Sequence, residues 1–280
     1  MRFLAHGYDD KDSTQCNYFS HHLSRMDGVE TGIWNGTGGL YNTFDAFKPD
    51  VFMVHCKDFN TDLTTYLSDS DTPDLQKLFI VANGSPHQCI LDCENKLNKI
   101  NYDKHTYITN NIRHLDKAPE NTLYLPEAAD SGLVSIKDFE YNIDTLIVID
   151  KLSNMVSMPE GSCHVMSTNP ELVGKVDICR PLGRFTPLLK NYRNVSIRIS
   201  SHDLPQVYFD AILSGCNVTI DSPNANCSNR LKDVCKRIFD CDCNDTKSVY
   251  EEVVKHHLSE HRTQALYELI PANNERYFVA

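Results

Sequence analysis

DLPQVYFDAILSGCNVTID, residues Asp203–Asp221, decides the fold. On a helix beginning near Asp203, the residues Leu204, Val207, Tyr208, Ala211 and Ile212 recur at the spacing of one apolar face, the face that packs on a sheet. Asp203 is a good N-cap, Pro205 is tolerated in the first turn and Gly215 supplies the stop. The β-branched run from Asn217 to Asp221 then reads as a strand. A helix that delivers the chain directly into a strand is half of a βα unit, so its N-terminus is expected at the carboxyl edge of a parallel sheet. Ligands bind at that edge in open α/β sheets, and free helix amides there favour phosphate. The same spacing puts Gln206 and Asp210 on the other face of the helix, one turn apart. A carboxylate so placed accepts hydrogen bonds from a ribose diol; the alternative is a solvated helix face.

Working outward, short β-branched or aromatic runs alternate with helix-length segments along the whole chain, the pattern of parallel βα units. Candidate strands are RFLAH, VETGIW, DVFMVHC, KLFIVAN, HTYIT and TLYLP, then TLIVID, CHVMS, VDICR, VSIRI and NVTI. Several are continuous apolar runs, as strands covered on both faces should be. The weakest join is Glu127–Asn142, which predicts an N-terminal domain over 1–135 and a C-terminal domain over 136–280. After Asp221 the pattern turns helical, with SNRLKDVCKRIF, SVYEEVVKHHL and HRTQALYELI as closing helices and the last a candidate to cross back to the first domain.

The chain has 280 residues, 41% of them hydrophobic, enough for one large or two ordinary domains with full cores. No apolar run approaches the roughly 18 residues of a membrane span, and MRFLAHGYDD lacks a signal-peptide core, so a cytoplasmic protein is expected. Eleven cysteines without paired spacing fit reduced thiols better than a disulfide framework or a zinc site. A net charge of -11 disfavours non-specific adhesion to nucleic acid or anionic membrane. The stretch from Ile178 to His202 nevertheless has no acid and five fixed cations, Arg180, Arg184, Lys190, Arg193 and Arg198. It is either a local anion site or a set of partners for Asp177 and Asp203.

The segment from Gly183 to Asp221, ending in FDAILSGCNVTID, resembles the C-terminal motif of GT-B glycosyltransferases, where a helix of the form E-A-(L/M)-A-x-G precedes a "P-V" strand. PDVFMVHCKD, KLFIVANGSPH and NTLYLPEAAD resemble three motifs of that family's N-terminal domain, in the same order. The resemblance implies two Rossmann-like domains facing across a cleft, with a trimmed C-terminal domain, and transfer of a sugar from a nucleotide donor such as a UDP-sugar without a cofactor or metal. It puts Asp210 in the place of the family's ribose-binding Glu, beside Gln206 and Leu204, and offers Arg184 and Lys190, or Lys151 in LIVIDKLS, to the diphosphate. His6 and Gly7 after the first strand take the place of a loop facing the donor. The acceptor, a glycan, a small molecule or a modified DNA base, is left open. So are a bacteriophage-type DNA-base glucosyltransferase and a non-catalytic nucleotide-sugar-binding protein.

An inverting transferase needs a base for the acceptor hydroxyl. Asp58 and His87, each just past a strand end, are the candidates. The glycine-rich WNGTGGLYNTF, Trp34–Phe44, lacks the spacing of a phosphate loop and reads as an acceptor-side loop.

Overall fold

A computed structural model of the chain describes residues 1–7, 23–35, 39–69, 75–82, 85–126, 128, 143–155, 158, 161–167, 169–179, 186–200, 203–221, 225–239, 241 and 245–270. The chain separates into two compact units, Met1–Leu125 with Thr263–Ala280, and Pro126–Arg262. The join expected at 127–142 lies, Ala128 apart, outside the described residues.

The first unit holds one six-stranded parallel sheet: β1 (Arg2–His6), β2 (Glu30–Trp34), β3 (Val51–His55), β4 (Lys77–Val81), β5 (His105–Thr109) and β6 (Thr122–Tyr124). Their order is β2-β1-β3-β4-β5-β6. The central strands β1, β3 and β4 carry apolar side chains at successive positions, Phe3–Ala5, Val51–Val54 and Leu78–Val81, because both faces are covered. Leu4, Phe52, Val54, Leu78, Ile80 and Tyr107 face one core with helices α1 (Leu40–Phe47), α2 (Thr61–Ser68) and α3 (His87–Lys99). Phe3, Ala5, Val51, Met53, Phe79, Val81 and Ile108, the alternate positions, face a second core with Leu23, Leu125, Leu266 and Ile270. Trp34–Phe44, expected as a loop, is corrected here: Leu40 opens α1, and Leu40 and Phe44, one turn apart, are both buried. Residues 36–38 lie outside the described set. A short helix, α4 (Ile112–Leu115), follows β5.

The second unit is built on β7 (Ile143–Ile149), β8 (Cys163–Ser167), β9 (Ile178–Cys179), β10 (Tyr192–Arg198) and β11 (Asn217–Ile220), again all parallel. The order β11-β10-β7-β8-β9 is that of a doubly wound sheet, with β7 and β10 at the reversal of strand order. Helix α5 (Thr186–Leu189) leads into β10 and α6 (Gln206–Leu213) leads into β11. Three closing helices follow, α7 (Ala225–Phe239), α8 (Thr246–His256) and α9 (Ser259–Tyr267). No helix among the described residues is long and apolar enough to cross a membrane.

The deciding stretch folds as a shorter helix than its pattern predicts. Asp203 does not cap it; the N-cap is Pro205, extended at φ −74° and ψ 157°, and the helix is confined to Gln206–Leu213. The stop is as expected. Gly215 has φ 74°, its N–H donates to Ile212 O at 3.0 Å, and Cys216 N–H donates to Ala211 O at 3.0 Å. A side chain in that left-handed conformation costs about 1 kcal/mol, so Gly215→Ala is expected to lower stability by about that amount, read as a lower urea midpoint at unchanged slope.

His257 titrates in a place where it cannot charge cheaply. It is buried against Phe239 and Phe209, with ring centroids 5.0 and 6.3 Å away, and Arg262 Nη2 donates to its Nδ1. Burial first and the Arg262 charge second push its pKa down to about 3. The unfolded chain therefore binds the proton before the folded chain does, and stability falls as pH drops from 6.5 toward about 3. His257→Gln is expected to flatten the stability profile just below 6.5, where carboxylates of ordinary pKa, about 4, are still ionised. Urea midpoints at stepped pH measure it.

Candidate functional site

Both sheets present loops at the carboxyl ends of their strands, and each has one place where the loops part. In the first unit it lies beside β1 and β3, since the chain runs from β1 to β2 on one side and returns to β3 on the other. β1 ends in His6, followed by Gly7, whose N–H donates to Trp34 O at 2.9 Å and fixes the exit from the strand. β3 runs into a 3-10 turn, Cys56–Asp58, closed by Phe59 N–H on Cys56 O. The turn brings Asp58 to His6, with Oδ2 3.7 Å from Nδ1, although 51 residues separate them. The Trp34 ring lies 5.0 Å from the imidazole at 50°.

His6 is 8% exposed and Asp58 half-buried. Burial lowers the His6 pKa, Asp58 opposes that fall, and His55 adds to it. The net direction is down, so the imidazole is neutral at neutral pH and able to take a proton. A cavity of about 300 Å³ opens on the pair, lined by His6, Trp34, Phe52, Asp58 and Leu63 among others. Asp58, expected as a base, and His6, expected on the donor side, thus form one dyad. Sequence reading placed each at a strand end; only the register of β1 on β3 brings them together.

His87 stands elsewhere, at the first position of α3 beyond β4. Its ring centroid is 5.8 Å from that of His114, whose Nδ1 shares a 2.9 Å hydrogen bond with Thr109 Oγ1. 

In the second unit the loops part between β7 and β10. Asp150, directly after β7, accepts from Ser200 N–H after β10 through Oδ2 at 2.8 Å and from Asn154 Nδ2 through Oδ1. The same Asn154 amide reaches Ser200 Oγ at 3.2 Å, and Asn169 Nδ2 donates to Asp150 O at 3.1 Å. This network ties together the two loops at the reversal point. Lys151 is exposed beside it. Arg198, at the end of β10, is 6% exposed; its Nε donates to Ser196 Oγ at 3.0 Å and its Nη2 lies 3.4 Å from Asp221 Oδ2. The signal for it in the sequence is its membership of the acid-free stretch from Ile178 to His202, in which the family resemblance points to Arg184 and Lys190 instead.

Two expectations for this edge are corrected. Lys190 is exposed in the turn before β10, at the amino end of the sheet. A seven-residue strand separates it from the carboxyl edge, about 20 Å, because the helix preceding a parallel strand ends at the opposite edge. Arg184 lies outside the described residues. Asp210 is not on an open face: it is 2% exposed, and every residue from Val207 to Leu213 is buried. The reason is that α6 packs on β11, α5 and α8 together, and a helix covered on several sides has no solvated stripe. Leu204 is buried as well, while Gln206 at the start of α6 is half-buried.

No protein-family model matches the chain, and no curated protein matches it. Among solved structures, that of the glycosyltransferase SnogD from Streptomyces nogalater aligns over 96% of this chain and 99% of that one, with a TM-score of 0.47 and 11% identity. A likeness at that level assigns no residue and no activity.

Two outcomes follow from the geometry. The Asp58 charge holds the His6 pKa up against burial, so Asp58→Asn is expected to lower it further, measured by NMR titration of the imidazole. Asp210→Ala is expected to destabilise the chain by about 1–3 kcal/mol in urea, since a buried carboxylate persists only with partners that the change would strand; an open helix face would tolerate it within about 0.5 kcal/mol.

Proposed function

We propose that the chain is a metal-independent glycosyltransferase that moves a sugar from a nucleotide donor, such as a UDP-sugar, to a hydroxyl held in the first unit. The observation that carries the reading is the neutral, buried His6 paired with Asp58 at the rim of a cavity. The motif resemblance and the doubly wound order of the second sheet support it.

In this reading His6 is the base. The acceptor oxygen attacks the anomeric carbon of the donor, the nucleoside diphosphate leaves with the bonding pair, and the acceptor proton passes to the imidazole. A base must be unprotonated before the step, which burial of His6 ensures, and must be stabilised once charged, which Asp58 does. Asp58 is thus a positioning and charge-stabilising partner.

The donor binds at the β7/β10 edge of the second unit, where helix amides and cations favour phosphate. Lys151 and Arg198 serve the diphosphate there, in place of Lys190. Gln206 meets the ribose, with Asp210 one turn below it in the helix. No cofactor is required.

Release of nucleoside diphosphate from a panel of nucleotide sugars, with EDTA present, tests the assignment. His6→Ala is expected to reduce turnover by about 10²–10⁴ while leaving donor affinity unchanged, and Asp58→Asn by a smaller factor. Wild-type turnover in His6→Ala, or activity lost to EDTA and restored by manganese, would contradict it.

A further inference from the structure

We propose that the cavity of the first unit takes one neutral sugar ring, a pyranose, with a hydroxyl turned toward His6. Calling that ring the acceptor rests on the transferase reading above; its binding does not.

Exposure decides which part of the lining a ligand meets. Leu40, Phe52, Val54 and Leu63 stand behind the cavity and are 6% exposed or less, so their carbon belongs to the core of the unit. The groups that face the opening are polar or aromatic: His6 at the end of β1, half-buried Trp34 at the end of β2, exposed Lys57 and half-buried Asp58 in the turn after β3, and exposed Asn60 at the start of α2.

These five side chains call for a ligand that hydrogen-bonds in both directions and carries no net charge. Asp58 only accepts, Lys57 only donates, and the neutral imidazole of His6 does one of each. Asn60 Oδ1 already accepts from Leu63 N–H at 3.0 Å, which leaves its Nδ2 to donate. A hydroxyl both donates and accepts, so a ring with adjacent hydroxyls meets the carboxylate with one and the ammonium or amide with the next. The Lys57 and Asp58 charges offset each other and burial keeps His6 neutral, so an anion drawn to Lys57 would also face Asp58. The indole of Trp34 supplies a flat surface of negative potential for the C–H face of a sugar ring. A volume of about 300 Å³, at the small end of small-molecule sites, suits a single ring rather than a chain of them.

Trp34 is the single tryptophan of the chain, so its emission reports on the cavity it lines. The full chain is titrated with a panel of methyl hexopyranosides, and with cyclohexanol, inorganic phosphate and 5-hydroxymethylcytidine as comparators. Ligand-detected NMR follows the same titrations. At least one pyranoside is expected to shift the emission to saturation and to resist displacement by any comparator. Lys57→Met, a change at an exposed side chain, is expected to weaken that pyranoside about tenfold, the loss of one charged hydrogen bond. Saturation by cyclohexanol, phosphate or the nucleoside in preference to every pyranoside, no saturable response to any pyranoside, or unaltered pyranoside binding in Lys57→Met overturns the proposal. Calorimetry with nucleotide sugars on the same preparation separates the two claims. Donor binding without pyranoside binding removes only this inference, and pyranoside binding without donor binding removes the transferase reading and leaves the sugar site standing.

Discussion

Parallel pairing is the constraint on which the rest depends. Each of the eleven strands among the described residues runs parallel to its neighbours within its sheet, so each connection must cross over and the strands of a sheet end at the same edge. The edge that collects the strand ends also collects the helix starts. Where the order reverses, at β1/β3 in one unit and β7/β10 in the other, neighbouring loops part and side chains from distant sequence converge. His6 with Asp58, and Asp150 with Ser200, are the products of that convergence.

The two edges carry different chemistry on one architecture. The first joins a small cavity of mixed polar and apolar lining to a histidine whose burial outweighs its carboxylate neighbour. Partial burial is what makes the pair useful, because full solvation would leave the imidazole near its ordinary pKa and a closer ion pair would keep it charged. The second edge is polar: Asp150 spans two loops through Asn154 and Ser200, and a buried arginine lies at the end of β10. A satisfied network of that kind holds loop geometry in place, which a ligand of fixed shape requires.

The strands were legible in the sequence for a physical reason. Runs such as VFMV and LFIV are apolar throughout because Leu4, Phe52 and Ile80 face one core while Phe3, Met53 and Phe79 face the other. What periodicity could not show was how many neighbours a helix has. The apolar stripe of Val207, Tyr208, Ala211 and Ile212 is real, yet the residues between them are buried too, so Asp210 is enclosed rather than open. Charge composition likewise flagged the stretch from Ile178 to His202 without saying which end of β10 each cation occupies. Arg198 is at the carboxyl edge and Lys190 at the other. The dyad was half legible: each residue reads as lying past a strand end, and their pairing depends on strand order, which no local pattern encodes.

Backbone amide shifts of the isotope-labelled chain, recorded as a nucleoside diphosphate sugar is added, test the central claim most directly. Saturable shifts are expected at Asp150–Asn154 and at Leu204–Gln206, the loops at the β7/β10 edge, with residues of the amino edge such as Lys190 unmoved. Shifts confined to the amino edge, or no saturable shift at the β7/β10 loops, would contradict it.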